Sequence, residues 1–285
     1  MCKTKACFSG VTQQSGAANH IFKMTVVALV QGATRGIGLQ FCKHLLEKQS
    51  TIAVVATCRD PEHAHRLHNL AEVYPGRISV VKIDVTKEKD IKDAAEKVKD
   101  KFGSLDLLIN CAAILHPSRK GETSLRDLTS EGLVSTLATN TIGPLMMAKY
   151  FSPLLMKGRG KFGVQLTDNS KQHCAILVNM SAKVGSIGDN GLGGWYSYRM
   201  SKAALNMATK NLSIEMGRGR AKVVCVSLHP GTVETDLSMP YHQNVPKEKL
   251  FSAAYSVQCL MNVIDGLSLH KTGKFLAWDG SELTW

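Results

Sequence analysis

The feature that most limits the fold is a series of short aliphatic and β-branched runs with no polar face, separated by amphipathic stretches. The runs are Met24–Val30, Ile52–Cys58, Ile78–Ile83, Leu105–Asn110, Ala175–Met180, Val223–Leu228 and Phe275–Trp278. A strand that is apolar on both sides must be covered on both faces, the usual condition inside a parallel sheet. Between the first two runs, Ile37, Phe41 and Leu45 recur four apart within Ile37–Glu47, on one helical face. Helices are also predicted over Pro61–Glu72, Glu88–Phe102, Leu125–Met156 (kinked at Gly143-Pro144), Tyr198–Met216 and Ser252–Leu269. Lys157–Gln172 is polar and glycine-containing, and reads as a loop.

Strands alternating with helices pair in parallel through right-handed crossovers. The prediction is therefore one α/β domain over 24–285: a Rossmann-type, doubly wound, parallel seven-stranded sheet flanked by helices. Ligands of such sheets sit outside the carboxyl ends of the strands, and the motifs below all fall at those ends.

Composition narrows the function classes. The formal charge of +12 raises the question of nucleic acid, but Lys and Arg are scattered. Runs such as Lys87-Glu88-Lys89-Asp90 mix both signs, as a solvated helix face does. The expectation is no nucleic-acid partner. No apolar run approaches the roughly 20 residues of a membrane-spanning helix. Eight cysteines occur without a Cys-x-x-Cys pair, and Cys58, Cys111, Cys174 and Cys225 lie in or beside strand-like runs. They behave as small hydrophobes, which suits a reducing, cytoplasmic compartment. His63, His65 and His68 do not share one helical face, so no metal site is expected. Residues 1–23 hold three lysines and no acid. They read as a disordered extension before a second start at Met24; the alternative is a mitochondrial or plastid leader.

Gln31-Gly32-Ala33-Thr34-Arg35-Gly36-Ile37-Gly38 joins the first strand to the first helix. Glycines allow a tight turn and close backbone approach to a pyrophosphate, and the helix N-terminus offers free N–H groups. The second strand ends in Ala56-Thr57-Cys58-Arg59-Asp60. An acid there binds a ribose 2′-hydroxyl, whereas guanidinium suits a 2′-phosphate. Arg59 and Arg35 therefore favour NADP(H) over NAD(H), with Asp60 either pairing Arg59 or serving the Pro61 turn.

Tyr198 and Lys202 stand four apart, one turn along a helix, in Tyr198-Arg199-Met200-Ser201-Lys202. Ser181 closes the fifth strand and Asn140 lies in the long helix before it. A carbonyl accepting hydride develops negative charge on oxygen that must be held and protonated. A free phenol, with a pKa of about 10, is a reluctant donor. An ammonium beside it eases that proton's departure.

The Gly-x-x-x-Gly-x-Gly spacing and the order Asn140, Ser181, Tyr198, Lys202 resemble the short-chain dehydrogenase/reductase family. Gln31 stands where the family usually has Thr. The resemblance implies that Asp84 and the Val85 backbone hold an adenine. It also implies that Asn140 holds a water linking Lys202 to solvent, and that Lys202 grips the nicotinamide ribose. Asn110-Cys111-Ala112-Ala113 resembles the family's Asn-Asn-Ala-Gly with two departures, and implies cofactor contacts at Asn110 and Ala112. His229-Pro230-Gly231-Thr232-Val233-Glu234-Thr235 resembles the Pro-Gly segment that supports the carboxamide, implying Pro230, Gly231, Val233 and Thr235 in the cofactor site. His229 itself reads as a packed strand residue.

Gly185–Trp195 is longer than the family's usual connection. Leu237–Leu250, with Met239, Pro240 and Tyr241, occupies the place of its substrate lid. Leu115, His116, Leu192, Trp195, Tyr196 and Met239 are substrate-side candidates. Tyr-Arg-x-Ser-Lys, Thr-Cys-Arg-Asp-Pro and Trp-Asp-Gly are most like the sniffer and C-factor branch, which contains carbonyl reductases. The resemblance implies reduction of a small apolar ketone, aldehyde or quinone, and pairing of two copies through the Asn140 and Tyr198 helices. The alternatives are an NAD-dependent alcohol dehydrogenase of steroid or retinoid type and a non-catalytic nucleotide-sensing protein.

Overall fold

Seven parallel strands lie in the order β3-β2-β1-β4-β5-β6-β9 in the computed structural model, which describes residues 26–167 and 172–285. The predicted extension over 1–23 and the alternative start at Met24 lie outside the described residues. The strands are β1 Val26–Gln31, β2 Ile52–Cys58, β3 Ile78–Lys82, β4 Leu107–Asn110, β5 Ala175–Met180, β6 Val223–His229 and β9 Phe275–Ala277. Two further two-residue strands, β7 Thr232–Val233 and β8 Leu250–Phe251, pair with each other outside this sheet.

The helices are α1 Gly36–Lys48, α2 His65–Val73, α3 Glu88–Phe102, α4 Ser130–Leu137, α5 Gly143–Leu155, α6 Tyr196–Glu215 and α7 Ala253–Asp265. One core cluster joins Phe41, Leu45, Leu67 and Leu260 to one face of the sheet. The other joins Ile91, Phe151 and Leu155 to the opposite face. The layered architecture expected from the apolar runs is the one observed. No helix of the described residues is long and apolar enough to cross a membrane.

Three predicted helices need correction. The one predicted from Pro61 begins only at His65, because Asp60 ties back to His63 and holds 60–64 as a turn. Ser252–Leu269 ends at Asp265, with Ser252 accepting the Tyr255 N–H as its cap. The single helix over Leu125–Met156 is broken into pieces. A 3-10 turn at Leu125–Asp127 precedes α4, which Thr129 caps, and a π turn at Ala138–Ile142 separates α4 from α5. The irregularity thus falls just before Gly143-Pro144. An α-type bond to the Asn140 carbonyl would need the N–H of residue 144, and proline has none.

The sheet's carboxyl edge carries a row that no single strand reveals. Thr57, Gln31, Asn110, Asn179 and Ser227 are in register across five neighbouring strands, and all are buried. Asn110 donates to Asn179 at 2.8 Å, and Asn179 donates to Thr209 of α6 at 2.9 Å. Ser227 also donates to Thr209, at 3.0 Å. A polar floor therefore bonds β4, β5 and β6 to the helix that holds Tyr198 and Lys202.

Candidate active site

The strand order reverses at the crossover from β3 to β4, and the crevice between the carboxyl ends of β1 and β4 is where the glycine loop sits. Gly32 has φ +81, and a Cβ there would lie 2.7 Å from the Ala112 nitrogen. A Cβ on Gly38 would lie 2.2 Å from the Gly32 carbonyl oxygen. The loop is thus drawn tight against both β4 and its own helix, leaving its backbone N–H groups at the mouth of the crevice. Gln31, the departure from Thr, accepts the Ala112 N–H on its side-chain oxygen at 3.0 Å and ties the two strand ends together. Thr34, Arg35 and Ile37 remain at least partly accessible, as a cradle for a diphosphate requires.

The two arginines differ. Arg35 pairs with Asp236 at 2.7 Å, with both side chains about two-thirds exposed. Arg59 is exposed and makes no ion pair among the described residues; Asp60 has gone to His63 instead. Asp84, at the end of β3, accepts from the Thr86 hydroxyl at 2.7 Å and the Thr86 N–H at 3.1 Å. Burial works to raise the Asp84 pKa, but these bonds, with the charges of Lys87 and Arg59, bring it below the ordinary value. Val85 is buried against Gly143, where a Cβ would come within 2.8 Å of it. On the opposite wall a Cβ on Gly231, at φ +78, would meet Phe251 at 2.6 Å. Pro230 accepts the Ser256 hydroxyl at 2.8 Å, and Val233 accepts that of Thr235 at 3.3 Å. Thr235 approaches Gly36, where a Cβ would lie 3.2 Å away, so the Pro-Gly segment closes over the glycine loop.

Asn140, Ser181, Tyr198 and Lys202 are brought together by β5, α6 and the π turn. Asn140 is fully buried; its amide accepts the Ile114 N–H at 2.9 Å and donates to the Ile114 carbonyl at 2.8 Å and the Ser201 hydroxyl at 3.0 Å. Ser181 donates to Asn206 at 2.7 Å. Lys202 donates from Nζ to the Met180 carbonyl at 2.7 Å, with Nζ 5.7 Å from the centre of the Tyr198 ring. Asn206 escaped the sequence reading, although Tyr198, Lys202 and Asn206 recur every four residues on one face of α6.

Electrostatics alter one expectation. Burial, aided by the Tyr241 hydroxyl, holds the Tyr198 phenol above its ordinary value, and Lys202 does not bring it down. Burial also lowers Lys202, to about 8, with Cys111 acting slightly the other way. At neutral pH Tyr198 is therefore a protonated phenol. A lysine whose folded pKa is lowered binds fewer protons than in the unfolded chain between about pH 8 and its unfolded value, so stability rises with pH through that window. Lys202→Met should remove a cost on the order of 3 kcal/mol at most. Calorimetry should find the Tm difference between mutant and wild type larger at pH 7 than at pH 10. Burial and the Lys183 charge lower His229 to about 4, opposed by Asp279, so it is a neutral packed residue.

On the substrate side Trp195 lies against the Tyr198 ring, with Tyr241 beyond it. The Trp195 ring lies edge-on to Tyr198 at 6.4 Å and tilted on Tyr241 at 4.4 Å. Leu115 is buried, whereas Leu192 and Met239 are 93 % and 63 % exposed and form no wall here. His116 bonds to Ser118 at 2.8 Å, and Tyr196 begins α6.

A glycine-lined crevice at the switch point, next to a serine, a tyrosine and a lysine gathered at one strand end, defines the class as a Rossmann-type oxidoreductase. Residues 26–246 match the family model described as short chain dehydrogenase. The chain belongs to that family. It is similar to the NADPH-bound carbonyl reductase from chicken fatty liver, with 35 % identity and a TM-score of 0.78 over 92 % of this chain and 100 % of that one. The carbonyl reductase Sniffer of D. melanogaster is 32 % identical, with a TM-score of 0.79 and the same coverage. The C-signal protein of Myxococcus xanthus is 31 % identical over 64 % of this chain and 94 % of its own length.

Proposed function

We propose that the protein is an NADPH-dependent carbonyl reductase acting on a small apolar ketone, aldehyde or quinone. The observation that carries this reading is the buried Tyr198 with the Lys202 Nζ 5.7 Å from its ring, on the helix to which Ser181 is hydrogen-bonded. A cofactor fits that crevice: its glycines stand where side chains would collide, helix N–H groups point out of α1, and Arg59 is an unengaged cation at the end of β2. When bound, NADPH supplies the hydride.

The chain's own groups do the rest. Ser181 turns its one hydroxyl proton from Asn206 to the substrate oxygen and so orients it. Tyr198 gives its proton to that oxygen as negative charge develops there. Lys202, anchored on Met180, then stabilises the phenolate left behind. Asn140 holds the Ile114 backbone and Ser201 in place beneath them, and the Pro-Gly segment with Trp195 keeps water from the reacting carbon.

A panel of ketones, aldehydes and quinones, with NADPH consumption followed by absorbance, tests the activity. Absence of carbonyl-dependent turnover across it would sink the reading. For cofactor choice, Arg59→Ala should weaken NADPH binding about 10- to 100-fold, since a charge-assisted bond contributes roughly 1.5–3 kcal/mol. NADH affinity should hardly change; equal losses for both cofactors would refute a 2′-phosphate contact. Arg35 has to leave Asp236 to make the same contact, so Arg59 should carry the larger part. Pairing of two copies is supported by Met200, Met207 and Ile214, seven apart and exposed on one face of α6. A cytoplasmic setting fits the free thiols of the described cysteines.

A further inference from the structure

The helix that carries Tyr198 begins in an unusual way. Gly193, Gly194 and Trp195 have φ of +65, +65 and +49, and Trp195 at the cap position makes no side-chain cap bond. A left-handed residue other than glycine costs roughly 1–2 kcal/mol, so something must hold it. Arg199 donates to the Gly193 and Gly194 carbonyls, both at 3.1 Å, and so draws the glycines onto the helix. Two N–H groups at the helix start go to a residue from a different loop. Glu122 accepts the Trp195 N–H on its backbone carbonyl at 2.6 Å. Its Oε1 accepts the Ser197 N–H at 3.2 Å and the Ser197 hydroxyl in a short bond.

Glu122 is 3 % exposed, and its Oε2 is buried with no hydrogen-bond partner among the described residues. Stability alone does not call for a carboxyl there, since a buried unsatisfied oxygen is costly and an apolar side chain would avoid it. A carboxyl at the first turn does complement the positive end of the helix and fixes its direction. The neighbouring residue extends the anchor to the lid. Gly121 donates its N–H to the Tyr241 hydroxyl at 2.7 Å, and only a glycine fits, since a Cβ would lie 2.6 Å from the Trp195 indole.

We propose that Glu122 is a positioning residue for Tyr198: a cap supplied from 75 residues upstream of Ser197 that fixes where α6 starts, and with it where the phenol stands. The proposal rests on the reductase reading of Tyr198. Misplacement of a reacting group by about 1 Å costs on the order of 100-fold in rate. Glu122→Ala should therefore lower kcat by about 30- to 100-fold and leave NADPH affinity within about 3-fold. Glu122→Gln should recover to within about 5-fold of wild type, because an amide oxygen still accepts both Ser197 bonds.

Hydrogen–deuterium exchange read by mass spectrometry supplies a second readout, independent of activity. The peptide covering 193–201 should exchange about 10-fold faster in Glu122→Ala, with β5 unchanged. If Glu122→Ala does not fold, Ser197→Ala, which deletes only the hydroxyl bond, should raise the same exchange and lower kcat by about 5-fold. Exchange at the wild-type rate overturns the proposal. So does a loss of kcat and cofactor affinity in equal proportion, or no recovery in Glu122→Gln. A wild-type protein without carbonyl reduction would instead defeat the reductase reading, while the exchange comparison still decides the anchor.

Discussion

Tyr198→Phe should lower kcat for carbonyl reduction about 1,000-fold while leaving NADPH affinity within about 3-fold, because a positioned general acid contributes roughly 100- to 10,000-fold. The variant isolates chemistry from structure unusually well. Tyr198 is buried, and its ring contact with Trp195 at 6.4 Å is one that Phe retains. The hydroxyl bonds to no other described residue, so its removal leaves no orphaned partner. The Tm should accordingly move by no more than about 2 °C. Steady-state NADPH oxidation with a responsive ketone, beside a fluorescence titration of NADPH, gives both numbers. A kcat within 10-fold of wild type would mean that the proton comes from elsewhere.

The second large effect is at Gly38. A Cβ there would lie 2.2 Å from the Gly32 oxygen, 3.0 Å from its carbonyl carbon and 3.3 Å from the Ala33 Cα. None of these is a flexible side-chain end, so the turn itself must back away. Gly32 cannot yield towards β4, because it already abuts the Ala112 backbone. Gly38→Ala should cost about 2–4 kcal/mol, comparable to severe overpacking of a core. That corresponds to a Tm fall of about 6–12 °C for a domain of this size. NADPH should bind at least about 30-fold more weakly, since the displaced N–H groups are the ones aimed at the diphosphate. Gly191→Ala is the control: nothing lies within 4 Å of a Cβ there, and stability should change by less than about 0.5 kcal/mol. Equal Tm values for the two variants would show that the glycine turn is slack.

Several elements were legible residue for residue. Ile52–Cys58 and Ala175–Met180 match their predicted bounds because a strand covered on both faces is apolar over most of its length, here with a single polar residue next to its end. Glu88–Phe102 matches because acids open it, lysines close it and Gly103 ends it at φ 75. The π turn was not legible. One extra backbone residue per turn changes neither composition nor the broad apolar pattern, and the proline four residues after Asn140 was its only mark. Asp60 shows a similar limit: its pairing with His63 rather than Arg59 depends on where 60–64 folds back, which no propensity specifies.

The residues by themselves determined the sheet, its layers, the glycine turn and the Tyr198–Lys202 spacing, because these rest on local periodicity and on backbone conformations few residues tolerate. Only the tertiary structure decided how those groups behave. It set five polar residues in one row along the sheet's carboxyl edge, paired Arg35 with Asp236, and brought Glu122 to the helix start. It also buried Lys202 deeply enough that its own charge is disfavoured. Each of these depends on groups distant along the chain meeting out of water, where partners and desolvation outweigh any preference a residue carries alone.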